Sequence, residues 1–311
     1  MKKVWKKVVV GMLVVLLVCS VAVNFFLFSK MSSNREVWNV NVPDSNSRDN
    51  YFTIHNLKEA QKVSKGEGIK VGILDWGFGF LEHDGLYAGG SDFSTWKYHD
   101  DNFNHTNEHG FWMAQTLKEI APEAEVYALG TFNPDSEDEW VDSMIEAIGW
   151  AQEQKLDILT LSHQAISEKN RGRFDEAVNK AVANGMVTTF IHYDNPNNIL
   201  PWGIWSDNGG YKRLPDINIF QYDYNTVFLN NYASIMNDAD FNAKYKSELY
   251  LSVSSMSVVT AGFVAILKGI DNTLTPAQYK EILINTSHPM EYEGDKAEHV
   301  VDIGAAVNAM F

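Results

Sequence analysis

"IKVGIL", residues 69 to 74, is a short apolar run carrying one lysine and one glycine. It is too brief for a buried helix and rich in β-branched residues, which favours a strand covered on both faces. Four further runs of the same kind follow: "AEVYALG" (124–130), "LDILTLS" (156–162), "MVTTFIH" (186–192) and "INIFQY" (216–221). Helical stripes lie between them. Trp140, Met144, Ala147 and Ala151 recur at helical spacing behind Ser136 and Glu139, the signature of a capping box. Phe174, Ala177, Val178, Ala181 and Val182 form a second stripe, closed by Asn184-Gly185. Thr275, Pro276 and Gln278 begin a third with a cap, a first-turn proline and a capping box. Alternating strands and helices predict an α/β fold: a mostly parallel sheet with helices on both faces. Functional groups in such a fold gather at the carboxyl ends of the strands.

The remaining chain sets the context. Of 311 residues, 45% are apolar, enough for a large core. Lys2, Lys3, Lys6 and Lys7 precede an apolar run of 21 residues from Val8 to Phe28. That length spans a hydrocarbon core of about 30 Å as a helix. Ser20-Val21-Ala22 resembles a signal-peptidase site, but the chain stays apolar beyond it. Residues 1–30 are therefore expected to form an uncleaved single-pass anchor in the cell membrane, with a cytoplasmic N-terminus and an extracytoplasmic remainder. Residues 31–50, rich in Asn, Ser and Asp, read as a flexible stalk, and 51–311 as the folded domain. The sole cysteine, Cys19, lies in the anchor, so the outer part forms no disulfide. With five of the 25 basic residues in the anchor, the exterior carries 20 basic against 40 acidic residues, a net charge of −20. Such a surface repels phosphate and excludes nucleic acid as a partner.

Three stretches carry chemical interest. Asp75 closes the first strand, and Gly77-Phe78-Gly79 follows. A dinucleotide site needs a further glycine at position 82, which is Glu82, so that reading fails. His83, Asp84, Asp92, His99, Asp100, Asp101 and His105 read as a solvated acidic loop, with no tight metal-binding pair among them. No cofactor or catalytic metal is expected; calcium held by loop carboxylates cannot be read from spacing alone. "NEHGFWMAQTL" (107–117) is a helix without a polar face that opens on ionisable His109. "SVSSMSVVTAGFVAILKG" (252–269) is an apolar helix headed by serines. Those serines either cap the helix or place a nucleophile beside unpaired backbone N–H groups and the positive end of the dipole.

Taken in order, the three stretches resemble the motifs of the subtilisin-like serine peptidases: Asp75-Trp76-Gly77, His109-Gly110-Phe111-Trp112-Met113-Ala114-Gln115, and Ser252 to Gly262. The gaps of 34 residues from Asp75 to His109 and 145 from His109 to Ser254 are of the family's size. The resemblance runs from about residue 55 to about 290. It implies a three-layer subtilisin-like fold and an Asp–His–Ser endopeptidase acting on peptide or protein substrates. Asp75 would orient His109, the general base, and Ser254 would be the nucleophile. Read without gaps back from Ala261-Gly262, the motif selects Ser254; matching its Ser-Met pair selects Ser255 and requires a one-residue deletion.

Departures from the family pattern concern activity. The substrate-binding Ser-x-Gly-Gly appears as Ser162-His163-Gln164-Ala165. At the position of the oxyanion asparagine stands Asp194, with Asn195 one residue later as the expected donor. The rival expectation is a protein of the same fold that binds a peptide or membrane partner without cutting it.

Overall fold

The computed structural model describes residues 54–83, 85–96, 103–104, 109–162, 166–203, 217–219, 254–292 and 295–311. The expected anchor, the stalk, His163, Gln164 and most of the acidic loop lie outside them. In chain order the elements are α1 (Leu57–Ala60), β1 (Lys70–Asp75), β2 (Gly89–Asp92), α2 (His109–Ile120), β3 (Glu125–Gly130) and α3 (Glu137–Glu153). Then come β4 (Ile158–Leu161), α4 (Glu168–Ala183), β5 (Val187–Phe190), β6 (Pro201–Gly203) and β7 (Ile217–Ile219). The chain closes with α5 (Ser255–Ile270), α6 (Pro276–Asn285), β8 (His288–Tyr292), β9 (Asp295–Val300) and α7 (Ile303–Asn308).

Five strands form a parallel sheet in the order β2-β3-β1-β4-β5. Strands β1, β4 and β5 are buried on both faces, as their near-continuous apolar runs require, whereas the edge strand β2 is half-exposed. Val71 and Ile73 of β1 belong to the core beneath α2 and α5, while Leu74 joins the opposite core with Leu129, Leu159 and the inner faces of α3 and α4. Gly72 also faces that second core: a Cβ there would come within 2.7 Å of Leu159 and 2.9 Å of Leu156. A second sheet, β6-β7-β9-β8, contains an antiparallel β8–β9 pair near the C-terminus that periodicity did not indicate. No helix among the described residues is long and apolar enough to cross a membrane.

Two local readings need correction. Ser136 does cap α3, accepting from the Glu139 N–H at 3.3 Å. The box is only half made, however, because the Ser136 N–H donates to Asn133 Oδ1 and the Glu139 carboxylate accepts from Thr95 and Asn133 instead. The Thr275–Gln278 box is complete. The fifth strand stops at Phe190 rather than running to His192, which adopts φ 56°. Asn198 ends it: its side chain accepts from Phe190 N–H and donates to the Phe190 and Tyr193 carbonyls, so the chain turns back there.

Candidate active site

Asp75 is the last residue of β1 and completely buried. One carboxylate oxygen accepts the N–H of Trp76 at 2.9 Å, and the other lies 2.7 Å from His109 Nδ1. Since the carboxylate accepts, Nδ1 carries the proton, and Nε2 is the nitrogen able to take one up. The approach of α2 to the end of β1 depends on Gly110. Its N–H donates to the Trp76 carbonyl at 2.8 Å, and Phe111 N–H donates to the Gly77 carbonyl at 3.1 Å. A Cβ on Gly110 would meet Trp76 O and Phe78 at 2.7 Å. The pairing of histidine with glycine thus has a steric cause: glycine lets the loop close on the helix start and hold the imidazole against Asp75.

Helix α5 begins beside the same edge of the sheet. Ser162, just past β4, lies with its Oγ 2.9 Å from the Ser254 carbonyl and 2.6 Å from Ser257 Oγ, and one of the two hydroxyls donates to that carbonyl while the other donates to its neighbour. Ser257 reaches the same carbonyl, and Thr189 on β5 donates to Ser257 O. These hydroxyls tie the head of α5 to the ends of β4 and β5. Ser254 occupies the N-cap position with helical dihedrals, makes no capping hydrogen bond and is partly exposed. Ser255, first in the helix, is 2% exposed. Further along, Gly262 turns towards α2, where a Cβ would meet Ile120 Cγ2 at 2.5 Å. Seven residues earlier on a helix of 3.6 residues per turn, Ser255 shares that bearing, while Ser254 lies roughly 80° round from it.

The other candidate residues divide. Ser162 joins the head of α5, whereas its neighbours His163 and Gln164 lie outside the described residues. Asn195 is nearly buried, and its amide donates to Tyr193 Oη at 3.1 Å and to the α4 side chains Asn179 and Asp175. The carbonyl of Asp194 accepts from Arg171, also on α4. Asn195 through its side chain and Asp194 through its carbonyl are thus engaged with α4. Among the described residues no group of three or more metal-ligating side chains comes together. Sequence reasoning missed the Ser162–Ser257 link, whose partners are 95 residues apart. It also missed an aromatic group beside Asp75: Trp76 stacks on Phe132, with ring centroids 5.8 Å apart, and meets Trp96 edge-on at 5.8 Å.

With this geometry in hand, the known proteins similar to the chain can be set beside it. No family model matches. Subtilisin DY of Bacillus licheniformis is 30% identical over 145 residues, 42% of this chain and 50% of the relative. The major intracellular serine protease of Bacillus subtilis (strain 168) is 33% identical over 141 residues, covering 40% of this chain and 43% of its own length. The chain thus spans about half the length of the curated relatives it matches. Among solved structures, MycP1 from the ESX-1 type VII secretion system superposes with a TM-score of 0.59 at 14% identity, covering 88% of both chains. A lanthipeptide protease superposes with a TM-score of 0.56 at 13% identity, over 85% of this chain and 95% of that one. At such identities the structural likeness establishes the fold, which is that of the subtilisin-like proteases.

Proposed function

We propose that this divergent subtilase is a serine endopeptidase, held at the cell membrane by residues 8–28 with its folded domain outside. Asp75 orients His109, and a serine at the head of α5, assigned to Ser254, attacks the peptide carbonyl. His109 Nε2 takes the serine proton, and the tetrahedral intermediate collapses when His109 returns that proton to the leaving amine. The acyl-enzyme is then hydrolysed by water activated in the same way. The observation that supports this reading is the 2.7 Å Asp75–His109 contact at the sheet edge from which α5 also starts. Partial exposure favours Ser254 as the nucleophile; the helical bearing shared with Gly262 favours Ser255 as a second reading.

Labelling with a fluorophosphonate separates the two. Ser254→Ala should abolish labelling of the full-length protein while Ser255→Ala retains it; the reverse pattern transfers the role to Ser255. The engagement of Asn195 with α4 favours a further reading, a peptide-binding relative that lacks an oxyanion donor and does not cut. Absence of both labelling and peptide cleavage in the wild type, with peptide binding retained, supports that reading instead, whereas activity lowered by about 10²–10³ fits a peptidase that has only lost its oxyanion donor.

A further inference from the structure

The dyad and the head of α5 stand at the carboxyl ends of the strands, and a cavity of about 520 Å³ opens at their amino ends. Its walls come from Asp157 before β4, the Gly185 turn before β5, the last turn of α5 at Lys268 and the first turn of α6. Lys268 follows Ser255 by 13 residues on one helix, about 20 Å along its axis. The volume falls within the range of about 300–1,000 Å³ usual for small-ligand sites. Gly185 leaves one wall open: at φ 90°, a Cβ on it would meet no heavy atom within 4 Å.

The cavity is built to receive negative charge. The Lys268 side chain is only 4% exposed, and its ammonium stands 3.7 Å from Asp157 Oδ1 and 5.2 Å from the centre of the Tyr279 ring. The Asp157 contact is longer than a hydrogen bond, which leaves the ammonium's N–H groups to be satisfied from the cavity. Desolvation by burial lowers the Lys268 pKa against the opposing pull of Asp157, so that one carboxylate does not replace the water the cation has lost. Lys280 lines the same cavity, with Nζ 3.3 Å from the Asn198 carbonyl. The start of α6, where Pro276 and Ala277 line the wall, adds the positive end of a helix dipole. Against these stands one lining carboxylate, Asp157, which already accepts from the Lys70 backbone N–H through Oδ2. The excess of one positive charge suits a monoanion better than a phosphate dianion, and it stands out in a chain of net charge −15. Val182, Ile199 and Leu274 supply apolar wall for a short aliphatic body.

We infer that this cavity is a second ligand site, which binds a small aliphatic carboxylate with its charge on Lys268 and Lys280 and its apolar body against Val182, Ile199 and Leu274. The site lies at the other end of the sheet from the dyad and does not depend on the peptidase reading. A free short-chain acid and the carboxyl end of a peptide share this chemistry, and the experiment separates them. The full-length protein in detergent micelles is titrated calorimetrically, in about 0.15 M chloride, with isovalerate, N-acetyl-leucine and the uncharged isovaleramide. Isovalerate should bind one site with a Kd of about 1 mM or tighter, and the amide at least about tenfold more weakly. N-acetyl-leucine binding as tightly as isovalerate identifies a peptide carboxyl end as the ligand, whereas its exclusion identifies a free acid, and either outcome sustains the site. Lys268→Met keeps the stem over Tyr279 and removes the charge, so carboxylate binding should weaken by at least about tenfold. Asp157→Asn keeps an acceptor for the Lys70 N–H and removes the opposing charge, so binding should tighten by about two- to tenfold. That gain separates a lost site from a damaged fold, because damage does not tighten binding. Equal binding of acid and amide, no saturable heat from either acid, unchanged binding in Lys268→Met, or weaker binding in an Asp157→Asn that melts like wild type overturns the inference.

Discussion

At the scale of single residues, the Asp75 carboxylate does two things that an amide could not do together. It accepts from Trp76 N–H through one oxygen and from His109 Nδ1–H through the other, while fully buried. Asp75→Asn keeps the shape but can turn an NH₂ donor towards Nδ1, which forces the proton onto Nε2. The imidazole then presents a donor where a base is required. The expected outcome is a fall of roughly 10⁴ in turnover or in labelling rate, with the circular dichroism of the folded domain unchanged. A fall below tenfold would mean that His109 is not oriented by this carboxylate. The half-buried His192, two residues past β5, is a contrast: desolvation by burial lowers its pKa, with no carboxylate acting against it among the causes.

At the scale of elements, the relation between α2 and α5 positions the chemistry. Both helices are nearly free of polar faces and bury most of their residues. They approach closely where Gly262 meets Ile120 and Leu117. A methyl group at 262 would stand 2.5 Å from Ile120 Cγ2 and 2.7 Å from its Cβ, closer than carbon atoms approach. Gly262→Ala should therefore destabilise the fold by about 1–3 kcal/mol through overpacking. For a domain of this size that lowers the melting temperature by a few degrees per kcal/mol, about 2–4 °C each. Pairing it with Ile120→Val should recover part of the loss, because the two sites share one contact. A double mutant that melts as low as the sum of the singles would show that the helices do not touch there. The same clash should slow labelling, since both helix heads carry site residues.

At the scale of the whole molecule, the beginning of the folded domain is fastened to its end. His55 Nδ1 lies 2.7 Å from the Val301 carbonyl, Ile303 N–H donates to the His55 carbonyl at 3.0 Å, and Asn56 Nδ2 donates to Asp302 Oδ2 at 2.9 Å. Asp302 also caps α7 through Ala305 N–H and lies 3.0 Å from His288 Nε2. Burial holds the His55 pKa down to about 4, against the lesser upward pull of the Val301 carbonyl and Asp302. The unfolded chain takes up a proton near pH 6.5, whereas the folded chain takes it up only near pH 4. Stability from this group is thus complete above pH 6.5 and is lost as pH falls towards 4, with no further loss below. The expected loss is on the order of 3 kcal/mol at most. Thermal melting from pH 7.5 to pH 4 should show it, and His55→Gln should flatten the slope over that window. An unchanged slope in the variant would place the acid sensitivity elsewhere.

The succession of β1, β3, β4 and β5 with the long helices between them was legible in the sequence because each of these buried elements leaves a periodic mark. Runs such as "IKVGIL" can only be covered on both faces, and the β1 residues do alternate between two cores. The Thr275–Gln278 box was legible because a cap is formed by neighbours in the chain. The pairing of Asp75 with His109 was expected from motif order alone, and its 2.7 Å geometry came from the closure of Gly110 on Trp76. What sequence could not supply were contacts between distant residues competing for the same atoms. Glu139 was drawn from its own capping box by Thr95, and Asn195 was drawn to α4 by Asn179 and Tyr193. Asn198 ended β5 two residues early, and Ser162 found Ser257 across 95 residues. Local periodicity and capping are set by residues within a turn or two of one another, so they are written in the chain. Which of several satisfied partners a buried polar group takes depends on what the fold brings within 3 Å, and only the tertiary structure decides that.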